Sequence, residues 1–165
     1  MTQVFFFEAF AEEQAALEKF AAGALQAQYS WKSIQEWGDS AVPPAPIISV
    51  RTQSLIPTHW AEHLQAILTR STGFDHLLRY KEKVADCPAC AYLPLYCHRA
   101  VAEQALLLWA ALMRKLPTQM RQFASFNRDG LTGQEIMGKR LLVIGVGKIG
   151  SEIVAIGRGL GMQVR

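Results

Sequence analysis

The feature that most constrains the fold is a glycine-spaced turn that follows an apolar run near the end of the chain. Residues 141–150 have the sequence LLVIGVGKIG, a G-x-G-x-x-G pattern formed by Gly145, Gly147 and Gly150. The first glycine permits a tight turn, the second lets a backbone approach a pyrophosphate, and the third lets a helix pack closely on a strand. Apolar residues then recur at helical spacing up to Leu160. The segment therefore predicts strand, turn and helix in the order of a dinucleotide-binding fold.

The start of that predicted helix is the candidate cofactor site. Backbone N–H groups at a helix N-terminus, with the helix dipole behind them, favour a bound phosphate. An acid about 20 residues after the glycines would bind the ribose hydroxyls. Glu152 is the only acid after the turn, and it does not lie at that spacing. NAD and NADP therefore both stay open, with NAD favoured.

Residues 1–97 alternate between predicted strands and helices. Strands are predicted at 4–7, 25–29, 47–50, 66–69 and 89–93, and helices at 11–22, 33–37, 57–64 and 75–83. Strands separated by helices pair in parallel through right-handed crossovers. The pattern predicts a small doubly wound α/β domain, in which ligands bind beyond the carboxyl ends of the strands. That rule selects the loops at 49–54 and 70–76, and Arg51 in the first loop is a candidate substrate ligand.

A long apolar helix is predicted over Ala100–Leu116, and Pro117 is expected to break or bend it. Apolar residues surround the axis of this helix, and a helix of that kind must be covered on all sides. In a chain this short, the cover has to come from both domains or from another subunit, so an oligomer is expected.

Three cysteines lie close together: Cys87, Cys90 and Cys97. The C-x-x-C spacing of the first two is that of a redox pair or of half a zinc site. A tetrahedral zinc site needs four ligands, and His98 directly follows Cys97, so the set is incomplete. Reduced thiols beside a buried strand are favoured and no metal ligand is assigned, while a thiol or zinc module stays open as an alternative.

Composition and charge exclude several classes of protein. Half of the residues are hydrophobic and 19% are charged, which favours a folded domain over a disordered chain. The net charge is only +3, and the bases never run longer than two, so nucleic acid is not an expected partner. The first base, Lys19, follows four acids, and the apolar stretch Ala105–Met113 is too short to span a bilayer. A cytoplasmic protein without a membrane segment is expected.

Three segments together resemble the D-isomer-specific 2-hydroxyacid dehydrogenases. They are LTRSTGFDHL at residues 68–77, PLYCHRAVAEQALLLWAALMRKLP at 94–117 and MGKRLLVIGVGKIGSEIVAIGRGLGMQV at 137–164. The resemblance implies a flavodoxin-like substrate domain over residues 1–97 and the first part of a Rossmann-type dinucleotide-binding domain over 98–165. It also implies NAD(P)-dependent reduction of a 2-oxo acid and, in the full-length form, a homodimer.

The resemblance assigns roles to several residues. The backbone amides of Thr72 and Gly73 would bind the substrate carboxylate. The amides of Lys148 and Ile149 would meet the cofactor pyrophosphate, and Val101 would lie near the nicotinamide. Phosphite dehydrogenases are similar in outline but have a lysine at the position of Thr72, which is an argument against phosphite as the substrate.

The catalytic arginine, glutamate and histidine of that family are expected beyond residue 165. No catalytic residue is therefore assigned, and the chain is expected to be an N-terminal portion that is inactive alone. A second hypothesis is a non-catalytic truncated paralogue that binds a partner dehydrogenase through the helix at 100–116.

Overall fold

A parallel β-sheet organises the first half of the chain in the computed structural model, which describes residues 2–38 and 40–165. The strands are β1 (Val4–Phe6), β2 (Ala27–Tyr29), β3 (Ile47–Val50), β4 (Ala66–Thr69) and β5 (Ala89–Ala91). Their order in the sheet is β2-β1-β3-β4-β5, and every neighbouring pair is parallel. This is the flavodoxin-like order of a doubly wound sheet. The predicted α/β fold class is confirmed.

Apolar residues on both faces of the sheet form the core. In β1, Phe5 belongs to the larger buried cluster, whereas Val4 and Phe6 belong to the smaller one. This alternation follows from the two-residue period of a strand. Trp60 and Ile48 are fully buried in the larger cluster. A strand with helices on both faces has few positions for polar side chains, and the sequence VFFF at residues 4–7 accordingly contains none.

Helices connect these strands. They are α1 (Ala11–Ala21), α2 (Ile34–Trp37), a 3-10 helix (Thr58–His63) and α3 (Asp75–Lys81). Local sequence determines the start of α2, because the Ser33 N–H and hydroxyl both donate to the Glu36 carboxylate, at 2.9 and 2.6 Å. These hydrogen bonds lower the pKa of Glu36. Strands β2 and β5 are shorter than predicted.

The second half of the chain is a separate unit that begins at Cys97, and the first unit ends at Tyr96. Its elements are α4 (His98–Met113), α5 (Leu116–Gln122), a 3-10 helix (Phe123–Ser125), β6 (Arg140–Leu141), α6 (Lys148–Gly159) and β7 (Gln163–Val164). Helix α4 packs against α6, and β6 pairs in parallel with β7. Among the described helices, none combines the length and the apolar character that crossing a membrane requires.

The predicted end of the long helix was wrong. Helix α4 ends at Met113, and Lys115 adopts a left-handed conformation with φ of 55°. Pro117 lies in the first turn of α5, where its missing N–H costs no intrahelical hydrogen bond. The chain therefore breaks before the proline, and the proline begins the next helix.

Candidate functional site

The carboxyl ends of β1 and β3 form the topological switch point of the first sheet, where ligands bind in doubly wound folds. Glu8 follows β1 there with φ of 53° and is buried. Its carboxylate accepts hydrogen bonds from the N–H of Arg51 at 2.9 Å, the N–H of Gln53 at 3.3 Å and the hydroxyl of Ser54 at 2.6 Å. One buried carboxylate thus fixes the loop after β3.

The two arginines at this edge of the sheet have different environments. Arg70 is buried, and its Nε lies 2.8 Å from Oε1 of Glu13. Its other nitrogens donate to Ser49 Oγ at 2.9 Å and to the Phe7 carbonyl oxygen at 2.6 Å. This guanidinium therefore connects α1 with the ends of β1 and β3, and its role is structural.

Arg51, the predicted substrate ligand, lies half-buried in the loop after β3. Its guanidinium lies 5.5 Å from the centre of the Phe10 ring. Its Nη2 donates a single long hydrogen bond, at 3.4 Å, to the Tyr96 hydroxyl. Compared with Arg70, Arg51 has weaker protein partners, and its charge remains accessible to an anion.

The loop after β4 places Thr72 and Gly73 at the same edge of the sheet. Ser71 anchors this loop, because its hydroxyl donates to the Gly73 carbonyl oxygen at 2.7 Å and its own carbonyl oxygen accepts from Leu93 N–H at 3.1 Å. Within the described residues, no acceptor is bonded to the amide of Thr72 or Gly73. Two fixed amides are therefore available to a carboxylate.

His76 follows that loop in α3, and its buried Nε2 has no hydrogen-bond partner in the described part of the chain. Burial lowers the pKa of His76 below its ordinary value of 6.5. A different histidine, His59, lies 3.1 Å from the Ser40 carbonyl oxygen through its Nε2. The ion pairs formed among residues 2–38 and 40–165 include none between a histidine and a carboxylate.

In the second unit, the three glycines of the turn have distinct environments. Gly145 has φ of 88°, a left-handed conformation that favours glycine. A Cβ on Gly150 would overlap the Gly145 carbonyl oxygen, whereas a Cβ on Gly147 would meet no atom within 4 Å. Gly145 and Gly150 therefore build the turn, and Gly147 leaves open space at the start of α6.

Two predicted cofactor residues, Lys148 and Ile149, form the first turn of α6 directly after Gly147. The first backbone amide that closes the helix belongs to Ser151, which donates to the Gly147 carbonyl oxygen at 2.9 Å. Amides that precede the first helical hydrogen bond point out of the N-terminus. This geometry is that of an anion site.

Val101 lies on α4, which an arginine ties to α6. The Arg99 guanidinium is 2.7 Å from the Glu103 carboxylate and 3.1 Å from that of Glu152. Val101 is exposed and follows Arg99 by two positions. The structure thus brings its helix to the helix of the glycine turn.

Sequence reasoning missed two residues here. Glu8 could have been found from the sequence, because it is an acid directly after the apolar run of a predicted strand, in the sequence VFFFE. Gly157 has none, although its Cβ would lie 2.7 Å from the Leu141 side chain and 3.1 Å from that of Val164. The close approach of α6 to the β6–β7 pair therefore depends on it.

The cysteines are free thiols, but the strand beside them, predicted to be buried, is exposed at all three residues of β5, including Cys90. Cys87 Sγ lies 3.8 Å from Cys90 Sγ. Among the described residues there is no group of three or more histidine, cysteine, aspartate or glutamate side chains that could bind a metal ion.

Comparison with known proteins identifies the family. Residues 105–165 match the model of the D-isomer specific 2-hydroxyacid dehydrogenase NAD binding domain. A 2-hydroxyacid dehydrogenase A of Aspergillus oryzae is 33% identical over 113 residues, which are 67% of this chain and 32% of that protein. Over residues 105–165 the chain belongs to the D-isomer-specific 2-hydroxyacid dehydrogenase family, whose NAD binding domain it matches there. The predicted family is thus confirmed.

Other members of the family agree in sequence or fold. A D-lactate dehydrogenase of Curvularia clavata is 33% identical over 108 residues, 64% of this chain and 30% of that protein. The structure of the Aquifex aeolicus D-lactate dehydrogenase complexed with NAD and lactic acid has a TM-score of 0.76 and 25% identity, covering 98% of this chain and 50% of that chain. The apo-structure from Escherichia coli, at 20% identity, has a TM-score of 0.81 over 98% of this chain and 53% of that chain, and shows the fold. The chain spans about a third of the two curated relatives and about half of the solved chains.

Proposed function

We propose that this chain is part of an NAD-dependent oxidoreductase that reduces 2-oxo acids to D-2-hydroxy acids. The observation that carries the proposal is the open space at Gly147, where α6 begins inside the segment that matches the family's NAD binding domain. A curated relative and a solved structure named D-lactate dehydrogenase support the choice of substrate class.

In this proposal residues 1–97 bind the substrate. The amides of Thr72 and Gly73 hold the carboxylate, and Arg51 adds positive charge from the neighbouring loop. Support comes from the anchored loop, whose two amides have no acceptor among the described residues. Hydrogen bonds from backbone N–H groups to a carboxylate are charge-assisted and therefore stronger than neutral ones.

Residues 98–165 bind the dinucleotide. Gly145, Gly147 and Gly150 form the turn, Lys148 and Ile149 present amides to the pyrophosphate, and Val101 lies toward the nicotinamide. The left-handed Gly145 and the open Gly147 fit a bound pyrophosphate. The nicotinamide supplies a hydride, and the protein must orient the substrate and provide a proton.

We also propose that the 165-residue polypeptide by itself has no turnover. Carbonyl reduction at neutral pH needs a general acid with a suitable pKa beside the substrate. A histidine paired with a carboxylate would meet that need, and none of the ion pairs among the described residues includes a histidine.

A homodimer is the proposed assembly, and a cytoplasmic location is proposed with it. Leu107, Leu108 and Leu112 of α4 are exposed by 56%, 56% and 72%. Contiguous exposed apolar residues mark an interaction site, and a second copy of this family member would cover them. The three free thiols are typical of a reducing compartment.

The experiment that tests binding is NMR of the 15N-labelled chain with two probes. Oxamate, a non-reacting 2-oxo acid mimic, is expected to shift the amides of Thr72 and Gly73. NAD+ is expected to shift those of Gly147 and Ile149. Shifts confined to other residues at saturating probe would overturn the assigned sites.

Turnover is measured separately, as NADH oxidation at 340 nm with glyoxylate, pyruvate or hydroxypyruvate. The expected rate is that of buffer. A rate above buffer that depends on Gly147 would refute the proposed inactivity while supporting the oxidoreductase assignment.

A further inference from the structure

Two thiols outside the proposed site lie in a geometry suited to bond formation. Cys87 Sγ is 3.8 Å from Cys90 Sγ, and Cys90 Sγ also lies 3.4 Å from the Pro88 carbonyl oxygen. A disulfide joins its sulfurs at about 2 Å. Side-chain rotation within a four-residue segment can cover the remaining gap, so the fold does not have to open for the sulfurs to meet.

Both cysteines are held in place by the structure around them. Cys90 lies in β5, where it pairs in register with Ile67 of β4. Cys87 packs against the larger core cluster beside β5. Cys97, by contrast, belongs to the second unit. The first two thiols therefore form a defined pair.

We propose that Cys87 and Cys90 form a reversible disulfide on reaction with hydrogen peroxide. The proposal is independent of the oxidoreductase function. In the first step the Cys87 sulfur attacks one peroxide oxygen and the O–O bond breaks. The other oxygen leaves as water with the Cys87 proton, and Cys87 becomes a sulfenic acid. In the second step the Cys90 sulfur attacks the Cys87 sulfur, the S–O bond breaks, and the hydroxyl leaves with the Cys90 proton as water. Two thiols lose two electrons, and peroxide gains them.

The order of the two steps follows from the thiol environments. Cys90 is exposed as a residue, but partial desolvation of its sulfur, together with the hydrogen bond to Cys87, raises the pKa of Cys90 to about 11. Cys90 therefore keeps its proton at neutral pH. Because the thiolate is the nucleophile toward peroxide, Cys90 takes the resolving step and oxidation begins at Cys87.

Strand β5 connects this pair to the loop of Thr72 and Gly73. Two residues after Cys90, the Tyr92 ring lies 4.5 Å from that of Phe74. Leu93 N–H donates to the Ser71 carbonyl oxygen at 3.1 Å. Closing a ring at Cys87–Cys90 restricts the start of β5, so oxidation is expected to slow hydrogen exchange of the Leu93 amide.

The test is thiol counting on the intact 165-residue chain. The chain is treated with hydrogen peroxide, quenched, alkylated with N-ethylmaleimide and weighed by mass spectrometry. The wild type is expected to fall from three adducts to one, with the loss of two hydrogen atoms and no gain of oxygen. Dithiothreitol is expected to restore all three adducts.

Matched variants identify the pair. The Cys97→Ser variant is expected to fall from two adducts to none. Adding Cys90→Ser leaves Cys87, which gains oxygen instead, whereas adding Cys87→Ser leaves Cys90, which stays a thiol and keeps its adduct. Oxygen gain without paired loss in the wild type, or a disulfide that includes Cys97, would overturn the proposal. Unchanged exchange at Leu93 in the oxidised chain would overturn the connection to the loop.

Discussion

At the scale of single residues, two buried charges organise the carboxyl edge of the first sheet. Glu8 accepts hydrogen bonds from the loop after β3, and Arg70 donates to the end of β1 and to Glu13. A buried charge is tolerated only when its hydrogen bonds are satisfied. Glu8 therefore positions the loop that carries Arg51, and Arg70 fixes the ends of β1 and β3.

Replacing Glu8 with glutamine is expected to lower the free energy of unfolding by about 2 to 3 kcal/mol, the worth of hydrogen bonds to a charged group. The amide loses the charge that three hydrogen-bonded residues share. Urea denaturation measures the change. Glu12→Gln, at an exposed position of α1, is the control and is expected to change stability by less than about 0.5 kcal/mol. Equal effects of the two substitutions would contradict the structural role of Glu8.

His76 is expected to make stability depend on pH below its ordinary pKa of 6.5. Burial lowers the pKa of His76 in the folded chain, so the unfolded chain binds the proton more readily. Stability is therefore fully present above pH 6.5 and is lost as the pH falls through the lowered folded pKa. Urea denaturation at a series of pH values should give a smaller slope for His76→Leu than for the wild type. The substitution His63→Leu, at an exposed position, is the matched control, and an unchanged slope in His76→Leu would contradict this assignment.

At the scale of elements, different glycines of the turn before α6 serve folding and the proposed binding of the cofactor. Gly150 must be a glycine because a side chain there meets the Gly145 backbone, and Gly147 faces open space. Local pattern predicted the order of strand, turn and helix, because these are encoded in consecutive residues, but the strand is shorter than predicted and comprises only Arg140 and Leu141. Local sequence was a poor guide to the end of α4, where Pro117 was expected to break the helix. The left-handed Lys115 ends the helix before that proline.

Alanine substitutions in this turn should therefore separate stability from NAD binding. Gly147→Ala is expected to change the free energy of unfolding by less than about 0.5 kcal/mol, because the φ of −82° at this position suits alanine. The same substitution is expected to reduce NAD+ affinity, because the methyl group would occupy the open space at the start of α6. Gly150→Ala should lower stability and affinity together. Gly159→Ala, at the last residue of α6 with no atom within 4 Å of its Cβ, is the control and should lower neither stability nor NAD+ affinity. Thermal unfolding and calorimetric titration measure the two quantities, and undiminished affinity in Gly147→Ala would argue against the proposed pyrophosphate site.

At the scale of the whole molecule, the second unit has apolar residues that its own packing does not cover. Ala102 is the only residue of α4 that is buried, although the helix is apolar around its axis. The sequence predicted that another surface must cover this helix, and its leucines are accordingly exposed within the unit. A surface of this kind favours association, because it removes apolar area from water.

Leu112→Glu is expected to weaken self-association by at least about tenfold, equivalent to roughly 1.4 kcal/mol. The charge would have to be desolvated in the interface. Sedimentation equilibrium measures the dissociation constant. Phe20→Glu is the control, since Phe20 is 82% exposed on α1 of the other unit. An equal effect at both positions would indicate non-specific aggregation, and no effect at Leu112 would exclude α4 from the interface.

The sequence by itself determined the parallel α/β class, most of the strand and helix positions and the glycine turn, because periodicity and turn chemistry depend on near neighbours in the chain. Only the tertiary structure revealed what Glu8 and Arg70 do. Glu8 lies 46 positions from Ser54, and Arg70 lies 63 positions from Phe7. Such partners meet only after β1, β3 and β4 have paired, and no local pattern encodes which side chains a folded sheet edge brings together.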